Sequence, residues 1–187
     1  DKDAPGFNVV RPIPVIGAET LYEVAFDDCR VEGWKLLGTE GQGFAPMQLR
    51  LSTRRSEMAA NAIGMAQRAM EMMIEYAPQR VTLGKPLSER QTIQNWISDA
   101  AIRIHAARLM TYDCAWKLDQ GRDVRTEVSM IKSYALEMAW EVLDHAMQCF
   151  GAMGMTREMP LQQMAARIKS DYDKYERLVK LTGATAN

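Results

Sequence analysis

The sequence predicts a mainly α protein, an up-and-down four-helix bundle preceded by a small β-strand fragment. Two observations carry this. From about Ser52 onward, long stretches of Ala, Met, Leu, Gln, Glu and Arg recur with an apolar period near 3.6. Before them, residues 1–46 hold four of the seven prolines and a cluster of glycines around the short apolar runs Phe7 to Val10 and Tyr22 to Phe26, the pattern of two to four strands joined by turns. So few strands leave edges open and cannot stand alone, so residues 1–46 read as the C-terminal part of a truncated β-domain and 47–187 as the bundle. A chain of 187 residues that opens on Asp reads as a piece of something longer.

The first helix is expected from Ser52 to Val81, with Met58, Ala62, Met65, Ala69, Met72 and Tyr76 on one face and Pro78 kinking or ending it. The second is expected to start at a capping box, Ser88-Glu89-Arg90-Gln91. It buries Ile93, Ile97, Ala101, Ile104, Met110, Cys114 and Leu118 and stops at Gly121. A third runs from Thr126 to Phe150 with Val128, Ile131, Ala135, Met138, Val142 and Cys149 inward, ending at Gly151. The fourth begins near Pro160 and continues through Leu161, Met164, Ile168, Tyr172, Tyr175 and Val179. Long helices with short connections pack antiparallel.

Composition removes several function classes. With 23 Lys plus Arg against 24 Asp plus Glu the net charge is -1, which disfavours nucleic acid as a partner, and no apolar run supports a transmembrane segment. Three widely spaced cysteines, Cys29, Cys114 and Cys149, fit free thiols in a reducing compartment. The 14 methionines read as core filler rather than copper ligands. His105 and His145 have no metal-ligand partner in their own turns and read as structural or solvated, so no metal site is expected. Gly41-Gln42-Gly43 lacks a third glycine and reads as a turn.

Three segments are less bland. Gln79-Arg80-Val81-Thr82-Leu83-Gly84-Lys85-Pro86 gathers a guanidinium, a hydroxyl and an ammonium around a glycine, a combination able to hold phosphate. In Gln148-Cys149-Phe150-Gly151-Ala152-Met153-Gly154 small residues at a helix end let a ligand approach the backbone, or simply cap the helix. Asp171, Asp173 and Glu176 form a carboxylate cluster that, on its own, fits a solvated face.

Their order and spacing, together with Ala59-Ala60-Asn61-Ala62-Ile63-Gly64-Met65-Ala66-Gln67-Arg68-Ala69, Gln91-Thr92-Ile93-Gln94, Ala106-Ala107-Arg108-Leu109, Lys132 and Arg157-Glu158-Met159-Pro160, resemble the C-terminal helical domain of the acyl-CoA dehydrogenases. Pro5-Gly6-Phe7, Val24 to Val31, Leu37-Gly38 and Gly41-Gln42-Gly43-Phe44 resemble the second half of that family's middle β-domain. The resemblance spans residues 4–166 and lacks the family's N-terminal domain.

It implies a FAD-dependent oxidoreductase, part of fatty acid metabolism, that places a double bond between the α and β carbons of an acyl-CoA thioester. A carboxylate removes the α-proton, FAD takes the β-hydride, and electron-transferring flavoprotein reoxidises the flavin. A weakly acidic α-proton needs a polarised carbonyl and a desolvated base. By the same resemblance Arg80 contacts the FAD pyrophosphate across a subunit interface, with Thr82 beside it and Leu83 in the place of the usual Phe. Gln91 follows the turn, and Gln148 with Gly151 lies along the adenosine half, where Ala152 replaces a second glycine. Arg55 lies near the acyl-CoA. The base maps to Asp173, with Glu176 the second candidate, although an ungapped count puts Tyr175 there; the other seat used in the family is occupied by Arg54.

Two readings follow. One is a fragment of an acyl-CoA dehydrogenase, competent once completed by its N-terminal domain and assembled as a homodimer or homotetramer, in bacterial cytoplasm or a mitochondrial matrix. The alternative is a non-catalytic, degenerate or truncated assembly module of the same family.

Overall fold

The structure, a computed structural model, describes residues 2–15 and 20–169. The chain divides into two compact units, Asp1–Leu51 and the residues from Ser52 onward.

In the first unit, strands β1 (Phe7–Ile13) and β2 (Leu21–Phe26) pair antiparallel, with Phe7 opposite Phe26 and an irregularity between Val9 and Arg11. The terminal pair brings the two phenyl rings to 5.3 Å, and Arg11 Nε meets Glu23 Oε2 at 2.8 Å across the ladder. Gly6 is required here: it sits at φ +84, and a Cβ would lie 2.1 Å from the Asp27 carbonyl oxygen. Val9, Val24 and Phe26 stay exposed on this two-stranded ribbon.

Helix α1 (Phe44–Tyr76) starts eight residues before the expected Ser52, because Pro46 falls in its first turn, where no intrahelical N–H is needed. It ends two residues before Pro78, as a proline's steric demand on the preceding turn requires. Helices α2 (Gln91–Asp119) and α3 (Arg125–Phe150) follow, and residues 161–169 are helical (α4), to the last described residue.

Cross-helix contacts fix the directions. Trp96 stacks on His145 near the start of α2 and the end of α3, while Lys117 Nζ meets Glu127 Oε1 at 2.8 Å near the other ends, so α2 and α3 are antiparallel. Tyr76 stacks on Phe150, which sets α1 parallel to α3. Arg108 reaches Gln67 between α2 and α1, and the Lys169 ammonium lies over the Trp140 ring between α4 and α3. The up-and-down bundle is thereby established.

The core is built from Ala59, Ala62, Ala66, Ala69 and Met73 of α1, Ile104, Ala107 and Cys114 of α2, the α3 stripe, and Leu161, Ala165 and Ile168 of α4. All six residues expected on the buried face of α3 are buried. On α2 one position is corrected: Ala101 is exposed and Ala100 buried. The capping box is also corrected. Ser88 belongs to a 3-10 turn, Leu87–Glu89; its N–H donates to the Ala77 carbonyl, and α2 begins after Arg90 with no side-chain cap. Tyr172, Tyr175 and Val179 lie outside the described residues. Among the described residues no helix is long and apolar enough to cross a membrane.

Candidate functional site

Between α1 and α2 the chain forms a two-residue hairpin rather than a plain turn. Strands β3 (Val81–Thr82) and β4 (Lys85–Pro86) pair antiparallel, leaving Leu83 and Gly84 as the turn, at φ +51 and +77. Two positive φ values are the signature of the hairpin turn whose twist matches its strands. Gly84 adopts this freely. Leu83 does so at a cost of about 1 kcal/mol, and its side chain is 94% exposed, so an apolar group is held outward against both backbone and solvent preference.

Arg80 precedes this hairpin, exposed, and its guanidinium has no partner among the described residues. Thr82 is half-buried; its carbonyl accepts a hydrogen bond from Arg90 Nη2 at 2.7 Å, which ties the hairpin to the start of α2. Gln91 is exposed at the first position of that helix.

The second strip comes from the end of α3. Gln148 is exposed, and Gly151 ends the helix at φ 61, ψ −137, a conformation open in practice to glycine alone. Nothing lies within 4 Å of where its Cβ would stand, so the peptide edge is accessible. Ala152 is exposed in the following 3-10 turn, Gly151–Met155. Gly154 anchors that turn: a Cβ there would lie 2.5 Å from the Met147 carbonyl oxygen.

Two ring stacks bring the strips to one end of the bundle. Tyr76 and Phe150 lie 4.2 Å apart, joining the ends of α1 and α3, and Trp96 and His145 lie 4.5 Å apart at 7° between α2 and α3. Arg80, Thr82, Leu83, Gln91, Gln148, Gly151 and Ala152, seven residues separated by up to 72 positions of sequence, therefore lie toward one end of the bundle, referred to below as the shelf. Its chemistry is a free guanidinium for an anion, two primary amides for a polar ring edge, and accessible backbone for a flat body. The sequence reading missed the ring stacks and the hairpin, since Leu-Gly is not among the dipeptides that signal a two-residue hairpin turn and Pro86 argues against a strand. His145 is structural, as expected.

Arg55 is elsewhere. It is half-buried on α1, about 30 Å along the helix from Tyr76. Next to it Arg54 Nη1 meets Glu57 Oε2 at 3.1 Å, so that arginine is paired within its own helix. Asp173 and Glu176 lie outside the described residues. At the same end as Arg55, Cys114 is fully buried, and burial pushes its thiol up while the Ser56 side chain beside it pulls the other way; burial raises the Cys149 thiol as well. Among the described residues no group of three or more side chains could hold a metal ion.

The family model for the acyl-CoA dehydrogenase C-terminal domain matches residues 41–172. The chain is 44% identical over 170 residues to (R)-benzylsuccinyl-CoA dehydrogenase of Thauera aromatica, covering 90% of this chain and 42% of that protein. Among solved structures it superposes on butyryl-CoA dehydrogenase from Megasphaera elsdenii with a TM-score of 0.86 at 31% identity, covering 91% of this chain and 45% of the other. The FAD complex of PigA gives 0.85 at 28% identity, covering 98% and 50%. The chain thus spans about half, or less, of the length of each.

Proposed function

The chain belongs to the acyl-CoA dehydrogenase family, and from that premise we propose that it is part of a FAD-dependent enzyme that dehydrogenates an acyl-CoA thioester between its α and β carbons. The observation that supports the reading is the shelf: Arg80, whose guanidinium has no partner among the described residues, stands at the same bundle end as Gln91, Gln148 and the open backbone of Gly151.

These residues fit FAD. Arg80 holds the pyrophosphate, with Thr82 and Gln91 beside it. Gln148 and the Gly151–Ala152 backbone lie along the adenosine half, and Leu83 packs against the cofactor where a larger ring is usual. When bound, FAD supplies the acceptor for the β-hydride. Arg55 stands toward the CoA thioester, and Asp173, with Glu176 as second candidate, takes the α-proton. Because the shelf is open, the cofactor is completed by another subunit. The assembly is a homodimer or homotetramer, and electron-transferring flavoprotein is the electron acceptor. Residues 1–46 are the end of the β-domain and 47–187 the helical domain.

The test is the visible spectrum after incubation with FAD and removal of free cofactor, on this chain joined to the upstream domains its relatives carry. Flavin retained by the wild type and lost from Arg80→Ala supports the reading. Equal retention by both, or none by either, overturns the cofactor assignment.

A second reading, a non-catalytic assembly module, is favoured by Leu83, Ala152, Pro78 and the tail sequence from Lys169 onward, which depart from the family pattern. Anaerobic addition of acyl-CoA separates the two: bleaching of bound flavin excludes the module, and a persistent flavin spectrum with each of several chain lengths establishes it.

A further inference from the structure

We propose that Arg90 is the positioning residue of the shelf: it clamps the tip of the β3–β4 hairpin to α2 and so fixes where Arg80 and Thr82 stand relative to Gln148. The inference rests on the cofactor reading above and adds the residue that sets its geometry. The base of the hairpin is held by backbone. The Leu87 N–H donates to the Arg80 carbonyl at 2.9 Å, the Ser88 N–H donates to the Ala77 carbonyl at 3.0 Å, and the Leu87 side chain packs against the core. At the tip Thr82 faces Lys85 across the Leu83–Gly84 turn, whose left-handed backbone a leucine disfavours. Among the described residues one side-chain bond ties that tip to the bundle: Arg90 Nη2 donates to the Thr82 carbonyl at 2.7 Å.

Arg90 is anchored at both of its ends. Its carbonyl accepts the N–H groups of Ile93 and Gln94 at 3.0 and 3.1 Å, so its backbone is the first fixed point of α2. Ile93 is buried in the core, and three residues further on Trp96 stacks on His145, three residues before Gln148 on α3. A continuous series of contacts therefore runs from the Gln148 strip through the ring stack and Arg90 to the hairpin that carries Arg80. The bond that closes the series is of the stronger kind, a guanidinium to a carbonyl, and Arg90 makes no ion pair among the described residues that would compete for it. Without this bond the turn at Leu83 has only two short strands to hold it, and a ribbon of that length opens readily. An open tip would let Arg80 wander from the strip it must share a ligand with, so the cost would fall on affinity while the bundle stays folded.

The test reads the FAD dissociation constant and amide hydrogen exchange, on this chain joined to the upstream domains its relatives carry. The wild type is expected to retain flavin. Arg90→Met should weaken flavin binding roughly tenfold and speed exchange of the Lys85 and Leu87 amides roughly tenfold, with buried α3 amides such as that of Ala139 at the wild-type rate. Arg80→Ala combined with Arg90→Met should bind flavin little worse than Arg80→Ala alone, because Arg90 acts through Arg80. Arg90→Lys keeps the charge and one donor, guards against a failure of Arg90→Met to fold, and should shift both readings in the same direction by less; a shift in one reading alone overturns the clamp. Unchanged flavin binding in Arg90→Met overturns the role and leaves the cofactor reading standing. Additive losses in the double variant overturn it by making Arg90 a separate contact of the cofactor, and faster exchange throughout the bundle overturns it by making Arg90 a residue of the fold alone. A wild type that retains no flavin overturns the cofactor reading and this role together.

Discussion

The two ends of the bundle are built on opposite principles. Where α2 runs into α3, Lys117 bridges Asp113 and Glu127 at 2.7 and 2.8 Å, Asp123 clasps Arg125 at 2.6 Å, and Cys114 is fully buried. Charges there find partners inside the chain. At the other end Arg80, Gln91 and Gln148 have no side-chain partner among the described residues, Leu83 faces solvent, and Gly151 opens its backbone. A fold closes the polar groups that hold it together and leaves open the ones meant for something else.

The comparison breaks first at Gly154, which belongs to the open end yet is structural. Gly154→Ala drives a methyl into the Met147 backbone and should cost about 3 kcal/mol, read as a fall in Tm. An unchanged Tm would mean that the 3-10 turn is not seated on α3. Arg80→Ala is the converse: it should leave Tm unmoved, since no internal bond is lost, while costing about 2 kcal/mol of flavin affinity by titration. A drop in Tm would make Arg80 a structural residue. Leu83→Asn should stabilise the chain by about 0.5 kcal/mol, because asparagine accepts positive φ and exposes no apolar surface, and should weaken flavin retention or assembly. Destabilisation in urea melts would show that Leu83 packs within its own chain.

The smallest effect is at the closed end and depends on pH. The Lys117 ammonium, with a backbone N–H, holds Glu127 below its ordinary 4.5, and the same contacts with Asp113 and Glu127 raise Lys117 above 10.5. A depressed carboxyl stabilises the fold fully above its unfolded value and loses that contribution as pH falls through the folded one. A raised amine does so below its unfolded value and loses it as pH rises. Glu127→Gln should therefore lower Tm modestly at neutral pH and match the wild type at low pH, which flattens the acid limb below 4.5. An acid limb identical to the wild type's would remove Glu127 from that linkage.

The closed, packed parts of the molecule were the legible ones. Val128, Ile131, Ala135, Met138, Val142 and Cys149 could be read inward because α3 has helices on several sides and a clean 3.6 period. The period misled on α2 for a physical reason: that helix carries a second apolar line, Ile102 to Trp116, and a reading that assigns every apolar residue to one core drew Ala101 inward. The Ser88 signal failed because Pro86 and Leu87 shape a 3-10 turn before α2 starts, so the hydroxyl stands too early to cap it. Seven candidate cofactor residues were named only through a family resemblance, and their convergence on one bundle end depends on ring stacks between Tyr76 and Phe150 and between Trp96 and His145, pairs that no local pattern encodes. The strain at Leu83 is equally silent in sequence, since a leucine beside a glycine gives no sign that both must turn left.

Leu83 also sets an expectation about descent. A side chain that its own backbone disfavours and that its own fold does not bury is kept only while something outside it gains from the contact. In any lineage released from that contact, each substitution to asparagine or glycine is a step downhill, so residue 83 should be among the first to drift. Its identity across a set of descendants would then date the loss of the partnership more sharply than any residue of the core.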